Sequence, residues 1–320
     1  MKKFFIGAAA AIVALASCSK ISVVNDDVQQ EIGLKAIAGV MTKAPITSFG
    51  DATNMGVYAD YKAAVDGSGY ESYFSDFEFH KNGTSWAGWE GGAHSPKYYP
   101  VSGTLDFFAY SPKNANVTAD RSGTDLVFTY TMTDNKTAQN DVLVSQVRSG
   151  VVKPNTATDV ALAFKHALSL IDINVKKTGT ATVLIKSITL NETNHAGIAT
   201  VTFASRDDET DPTIAWVVTG STSSDEIAKD QTLTDALVNC NTVSDLLVVP
   251  TPTEDKTMTI VYTIDGGIEL THTLELGVSG KWDPSTKYTY DITVGPLEIT
   301  VAPSIDEWAT PTPAVPGLSI

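Results

Sequence analysis

Thiols are nearly absent from this chain: in 320 residues cysteine occurs only at Cys18 and Cys240. Cys18 falls at the end of a leader, so no intrachain disulfide is expected and the fold must be held by its core. Cys240 lies between Asn239 and Asn241, with no flanking cation or histidine to lower its pKa, and reads as a small buried residue. The histidines His80, His94, His166, His195 and His272 are scattered. They form neither H-E-x-x-H nor a Cys/His zinc spacing, and the chain has no G-x-S-x-G elbow. No catalytic residue, metal or cofactor is expected, and the chain is not expected to be an enzyme. Basic residues are also few: Lys and Arg number 22 against 37 Asp and Glu, a net charge of −15. Such a surface repels phosphate backbones, so nucleic acid is excluded as a partner. The acidic run 206–211 lacks the spacing and the glycine of a calcium loop and reads as a solvated hairpin.

A sustained helical period is missing too, and what replaces it is alternation with β-branched and aromatic residues. Strands are expected at 55–61, 73–80, 104–110, 125–131 and 141–146. Further strands are expected at 160–176, 182–191, 199–204, 214–219, 245–250, 258–265 and 268–276, with one short helical turn at 232–239. In 73–80, Phe74 alternates with Phe77 and Phe79 and is placed on the opposite face from them. Asp265-Gly266-Gly267 marks a hairpin turn, because glycine takes positive φ without cost. The stretch 85–100 reads as loop-rich and carries Trp86, Trp89, Tyr98 and Tyr99. Those rings pack beneath the loop, or else Trp86 and Trp89 stack on a glycan. Gly150, Pro154 and Asn155 place a domain boundary within 149–158. His166 is expected to be held by a backbone hydrogen bond at the junction.

At the other end of the chain Lys2 and Lys3 precede an apolar run, 4–15, that closes on Leu15-Ala16-Ser17-Cys18. The run is too short to span a bilayer as a helix and has the three-part form of an export signal. Its ending resembles the bacterial lipobox, which implies cleavage before Cys18 and acylation of that cysteine. Residues 19–30 are polar and acidic, a tether. Within 31–43, Ile32, Leu34, Ala36, Ala38 and Val40 fall on one face of a strand, and Thr42-Lys43-Ala44-Pro45 breaks it.

The closing stretch 281–308 has the plainest pattern. A turn at Asp283-Pro284-Ser285 leads into alternation over 288–294, Gly295-Pro296 turns again, and 297–305 alternates once more. Leu297, Ile299, Val301 and Ile305 share one face, and Trp308 follows. Pro303 lacks an N–H, so this strand should lie at a sheet edge.

W-x5-Y-x-Y-x-I-T-V followed by I-x-V-x-P-x-I-x-x-W resembles the C-terminus of the fimbrillin-like family, type V pilus subunits. Tyr98-Tyr99-Pro100, the segment 106–112 (DFFAYSP) and the segment 164–168 (FKHAL) carry the same resemblance in the same order. It implies an all-β chain of two transthyretin-like β-sandwich domains in tandem. Residues 1–17 would be the lipoprotein signal and 18–43 the lipidated N-terminus, tether and removable first strand. Residues 44–159 would form the N-terminal domain and 160–320 the C-terminal one. The resemblance further implies an outer-membrane lipoprotein assembled into a surface fimbrium with other pilus subunits. A protease would cut between Lys43 and Ala44 and free the strand bearing Ile32, Leu34 and Val40. Its place would be taken by a neighbour's Leu297, Ile299, Val301 and Ile305, with Trp308 as terminal plug. The family's cuts follow arginine, so a lysine here leaves the protease open. The alternative is a non-polymerising surface lipoprotein or tip adhesin that binds a host glycan or protein. Pro311, Pro313 and Pro316 favour it, since a tail short of donors makes a poor groove-filling strand.

Overall fold

The computed structural model describes residues 29–38, 54–63, 69–122, 125–131, 141–203, 211–240, 246–276, 280–296 and 298–308. Among them there are strands and no helix. In chain order these are β1 (Leu34–Ala38), β2 (Asn54–Lys62), β3 (Glu71–Asn82), β4 (Ser85–Glu90), β5 (Ala93–His94), β6 (Thr104–Ser111), β7 (Val117–Ser122) and β8 (Asp125–Thr131). Next come β9 (Leu143–Ser145), β10 (Arg148–Val151), β11 (Val160–His166), β12 (Ser169–Lys177), β13 (Val183–Thr193), β14 (Ala196–Thr202) and β15 (Thr213–Val218). The last of the described residues form β16 (Ser223–Thr232), β17 (Val238–Asn239), β18 (Leu246–Val248), β19 (Thr257–Ile264), β20 (Leu270–Glu275), β21 (Thr286–Val294) and β22 (Ile299–Glu307).

The first sheet runs β1-β11-β9-β6-β2-β3-β4-β5, and a further pairing of β1 with β4 brings its ends together. The closed sheet encloses a core of Leu34, Val57, Phe79, Trp86, Phe107 and Phe164 among others. The period of two sorts neighbouring residues between cores: Phe107 faces this interior, and Phe108 faces outward into a second core. There Phe108 stacks on Tyr58 at 5.2 Å, beneath a sheet ordered β15-β14-β8-β7. A third core fills the sandwich of β17-β12-β21-β22 (with β18 on β12) and β16-β13-β19-β20, around Ile173, Ile188, Ile260, Trp282 and Ile292.

Several sequence expectations need correction. The division into 44–159 and 160–320 does not match the packing, because β11 lies between β1 and β9 in the first sheet. Strand β8 also pairs with β14, so one sheet and the second core draw on both sides of residue 160. Gly150, Pro154 and Asn155 belong to a surface excursion whose first residues, β10, still pair with β6. The run 160–176 is two strands broken at Ala167-Leu168, both buried. No helical turn occupies 232–239; β16 runs to Thr232 and Val238–Asn239 pairs with β12. The stretch 85–100 contains β4 and β5. In β3 a bulge, with Asp76 at φ 46° and register shifts against β2, turns Phe74 to the side of Phe77 and Phe79. The Asp265–Gly266 turn joins β19 to β20 with φ of 49° and 68°, as the hairpin signal requires.

Candidate functional site: the groove filled by the N-terminal strand

Strand β1 enters along β4 and the segment after β5. The Ile32 N–H donates to the Lys97 carbonyl at 2.7 Å, and the Tyr99 N–H donates to the Gln30 carbonyl at 2.9 Å. Val160 N–H then donates to the Gly33 carbonyl, and Leu34–Ala38 pair in parallel with Val160–Phe164. On its other edge β1 meets β4 only at Leu34↔Trp86. A side chain at Gly33 would collide with the Asp159 carboxylate, which also accepts a hydrogen bond from Ser85. The strand is therefore threaded closely at its start and hydrogen-bonded mainly on one side beyond it.

Its side chains follow the expected alternation. Ile32 and Leu34 are fully buried, Ala36 is half-buried, and Lys35 and Ile37 point outward. Burying two aliphatic side chains of this size contributes about 1.5–3 kcal/mol each. Trp86 lies against Leu34 and is 2% exposed, so it is a wall of this groove and cannot meet a ligand while β1 is in place. Its stretch reads as loop because glycines and a histidine interrupt the alternation, yet the β3–β4 turn folds it inward. Trp89 is half-buried and stacks on His80 at 4.6 Å. Cys18, Val40, Lys43, Ala44, Leu297 and the proline-rich tail lie outside the described residues.

The second strand of interest, β22, is at an edge, as Pro303 requires, and pairs antiparallel with β21 from Val294↔Ile299 to Thr286↔Glu307. Ile299 and Val301 pack against the third core, whereas Ile305 is 57% exposed. Trp308 is buried in the second core. Its ring stacks on His166 at 3.6 Å, and its backbone N–H donates to the Ser285 carbonyl. The Nδ1 partner of His166 is the Asp141 carboxylate rather than the expected backbone group, and the residue lies at the end of β11 within the first sheet.

Polar clusters elsewhere have structural partners. The buried Lys256 ammonium donates to the Glu192 carbonyl and to Asn194 Oδ1, and burial holds its pKa below the ordinary lysine value. His195 lies between Asp225 (2.8 Å) and Ser223 (3.3 Å), while Thr193 also donates to Asp225. This polar knot, missed in the sequence, ties down the backbone where the chain leaves β13 for another sheet. Among the described residues no group of three or more His, Cys, Asp or Glu is placed to hold a metal ion.

Fold and site thus define an all-β chain whose first sheet is closed by its own N-terminal strand and whose last strand is an edge strand. Residues 42–308 match the profile of the fimbrillin-like family. The chain belongs to that family. Solved structures share the fold. A fimbrial protein from Bacteroides vulgatus is 16% identical, with 87% of this chain and 99% of that one covered and a TM-score of 0.60. A candidate cell-adhesion protein from Bacteroides ovatus is 15% identical over 88% of this chain and 99% of that one, TM-score 0.55. Another from Bacteroides uniformis is 20% identical over 87% and 98%, TM-score 0.54. No curated protein matches the sequence.

Proposed function

We propose that the chain is a subunit of a surface fimbrium, exported as a lipoprotein acylated on Cys18 and assembled by strand exchange. Cleavage between Lys43 and Ala44 would cut the link that keeps β1 in its groove at high effective concentration. The open groove would then accept the C-terminal strand of a neighbouring subunit, which pairs with β11 and covers the exposed core. The observation that carries this reading is the seating of β1 and the residues just ahead of it, with Ile32 and Leu34 fully buried and a ladder mainly on one edge. Ile305 supports it, since that side chain is 57% exposed in its own sheet and would gain burial in a groove.

A second reading, a surface lipoprotein or tip adhesin that does not polymerise, is favoured by the nine-residue ladder that already pairs β22 within its own chain. The two are separated by treating the precursor with trypsin and running it unboiled on a gel. Strand exchange gives ladders, Lys43→Ala blocks them, and a chain truncated before Leu297 is cleaved but stays monomeric. A wild-type protein that loses residues 19–43 and remains monomeric at high concentration would sink the polymerising reading.

A further inference from the structure

Where the chain enters β1, a half-open groove of about 870 Å³ is lined by Tyr73, Phe74, Tyr98, Val101, Lys97 and Lys153. Its size falls in the range of small-molecule sites, roughly 300–1,000 Å³. The groove owes its aromatic wall to the bulge in β3. With Asp76 in the left-handed region, Phe74 turns inward with Phe77 and Phe79, and Tyr73 is left 39% exposed. Tyr73 is nevertheless fixed: its hydroxyl donates to the Tyr98 carbonyl at 2.8 Å, and its ring centroid lies 5.9 Å from that of Phe74. An exposed ring already ordered by such contacts offers a flat apolar face to a ligand at little entropic cost.

Charge narrows the ligand class. The chain carries −15 in all, yet the charged residues lining this groove are Lys97 and Lys153, both cations. The Lys97 ammonium is held 3.8 Å above the centre of the Phe77 ring, so one positive charge has a fixed place beside the aromatic wall. A ligand that fits both features has a C–H face for the tyrosine rings and an anionic group for the fixed cation. We propose that this groove binds the carboxylated terminal sugar of a glycan, its ring packed on Tyr73 and Tyr98 and its carboxylate toward Lys97. A neutral sugar would use the rings and not the cation.

The groove borders the segment that strand exchange would remove: Gln29 forms part of its wall, and Lys97 and Tyr99 are hydrogen-bonded to Ile32 and Gln30. The test therefore uses the full, uncleaved chain. Saturation-transfer NMR with 3′-sialyllactose and with methyl β-glucuronide should show transfer to the ring protons of at least one acidic sugar. Lactose should bind about tenfold more weakly or not at all, the value of one charge-assisted contact. Lys97→Glu should abolish transfer with an unchanged thermal midpoint; if that variant is unstable, Lys97→Gln should weaken binding about tenfold. Tyr73→Ala should weaken it by a similar factor. Absence of transfer to both acidic sugars would overturn the proposal, as would equal binding of lactose or indifference to both substitutions at Lys97. A trypsin ladder with no sugar binding would leave strand exchange standing and remove this site alone.

Discussion

Leu34→Ala is the sharpest perturbation of the N-terminal strand. Leu34 is fully buried among Trp86, Phe164 and their neighbours, and it is the one residue of β1 that pairs with both β11 and β4. Truncating such a side chain costs about 2–5 kcal/mol, the transfer of its methyl groups plus the cavity left behind. At about 1.4 kcal/mol per tenfold, that loss weakens the hold on a severed strand by roughly 30- to 4,000-fold. Lys35→Ala, one residue on and facing solvent, should change it by less than about 0.5 kcal/mol. The assay uses a chain with a specific-protease site in place of residues 43–46. After cleavage and dilution, size exclusion with mass spectrometry follows loss of the fragment that carries residues 18–42. Rapid loss for Leu34→Ala, with slow and equal loss for wild type and Lys35→Ala, is the expected pattern. Equal rates for all three chains would mean that core packing does not hold the strand, and the argument from burial would fail.

The two tryptophans of β4 should separate cleanly in urea titrations. Trp86→Ala is expected to cost about 3–5 kcal/mol, and Trp89→Ala about 0.5–1.5 kcal/mol, the worth of its stack on His80. Alkali should unfold the protein: burial, with the charge of Asp159, pushes the Tyr99 hydroxyl up to about 12 from 10.0, and burial also raises Tyr58, Tyr110 and Tyr130. The unfolded chain releases these protons above pH 10 while the folded one keeps them, so their contribution is whole below pH 10; the share of Tyr99 is lost as pH climbs through about 12, and that of the other three at still higher pH. Absorbance at 295 nm should then rise for these tyrosines together with loss of β-sheet circular dichroism; a rise well before it would contradict the burial. Cys240, buried and pushed up to about 12, should resist alkylation at pH 8 until denaturant is added. Rapid native labelling would show that the site opens.

Most strands were legible because alternation is a local signal. Expected strand 125–131 is β8 itself, and the turn around Pro284-Ser285 and the edge position of β22 followed from proline and its neighbours. Partner choice was not legible. Val160–His166 alternates as any strand would, and nothing in its own residues says that it lies between β1 and β9 rather than in the C-terminal sandwich. The β3 bulge was hidden for a related reason: no glycine marks it, and Asp76 takes the left-handed conformation in its place, so a strict period of two put Phe74 on the wrong face. The alternation of β22 put Ile299, Val301 and Ile305 on one face; the first two pack against the third core, but Ile305 is 57% exposed, which the local pattern does not tell. Lys256 reaches partners 62 and 64 residues away, and Asp225 reaches partners 30 and 32 residues away, beyond the reach of any spacing rule.

The two end strands are held in different ways, and the difference decides which step of an exchange is hard. Strand β1 has five parallel rungs on β11 and one antiparallel contact on β4, and parallel rungs are the weaker kind. Its anchorage is concentrated in Ile32 and Leu34. Strand β22 has an antiparallel ladder along its full nine residues, and its far end is pinned by Trp308 in a core built from both halves of the chain. Lifting β22 from its own sheet would uncover His166, whose Nε2 is buried without a protein partner and whose Nδ1 depends on Asp141. Cutting after Lys43 acts only on the strand that is already the easier to lose. For β22 to be the invading strand, the donor must also give up its ladder and the Trp308 stack. The exposed Ile305 side chain, worth about 1.5–3 kcal/mol on full burial, offsets only part of that loss. Assembly through this strand should therefore be limited by release of the donor, not by opening of the acceptor. A Trp308→Ala subunit, with its pin removed, should ladder faster than wild type once both are cut.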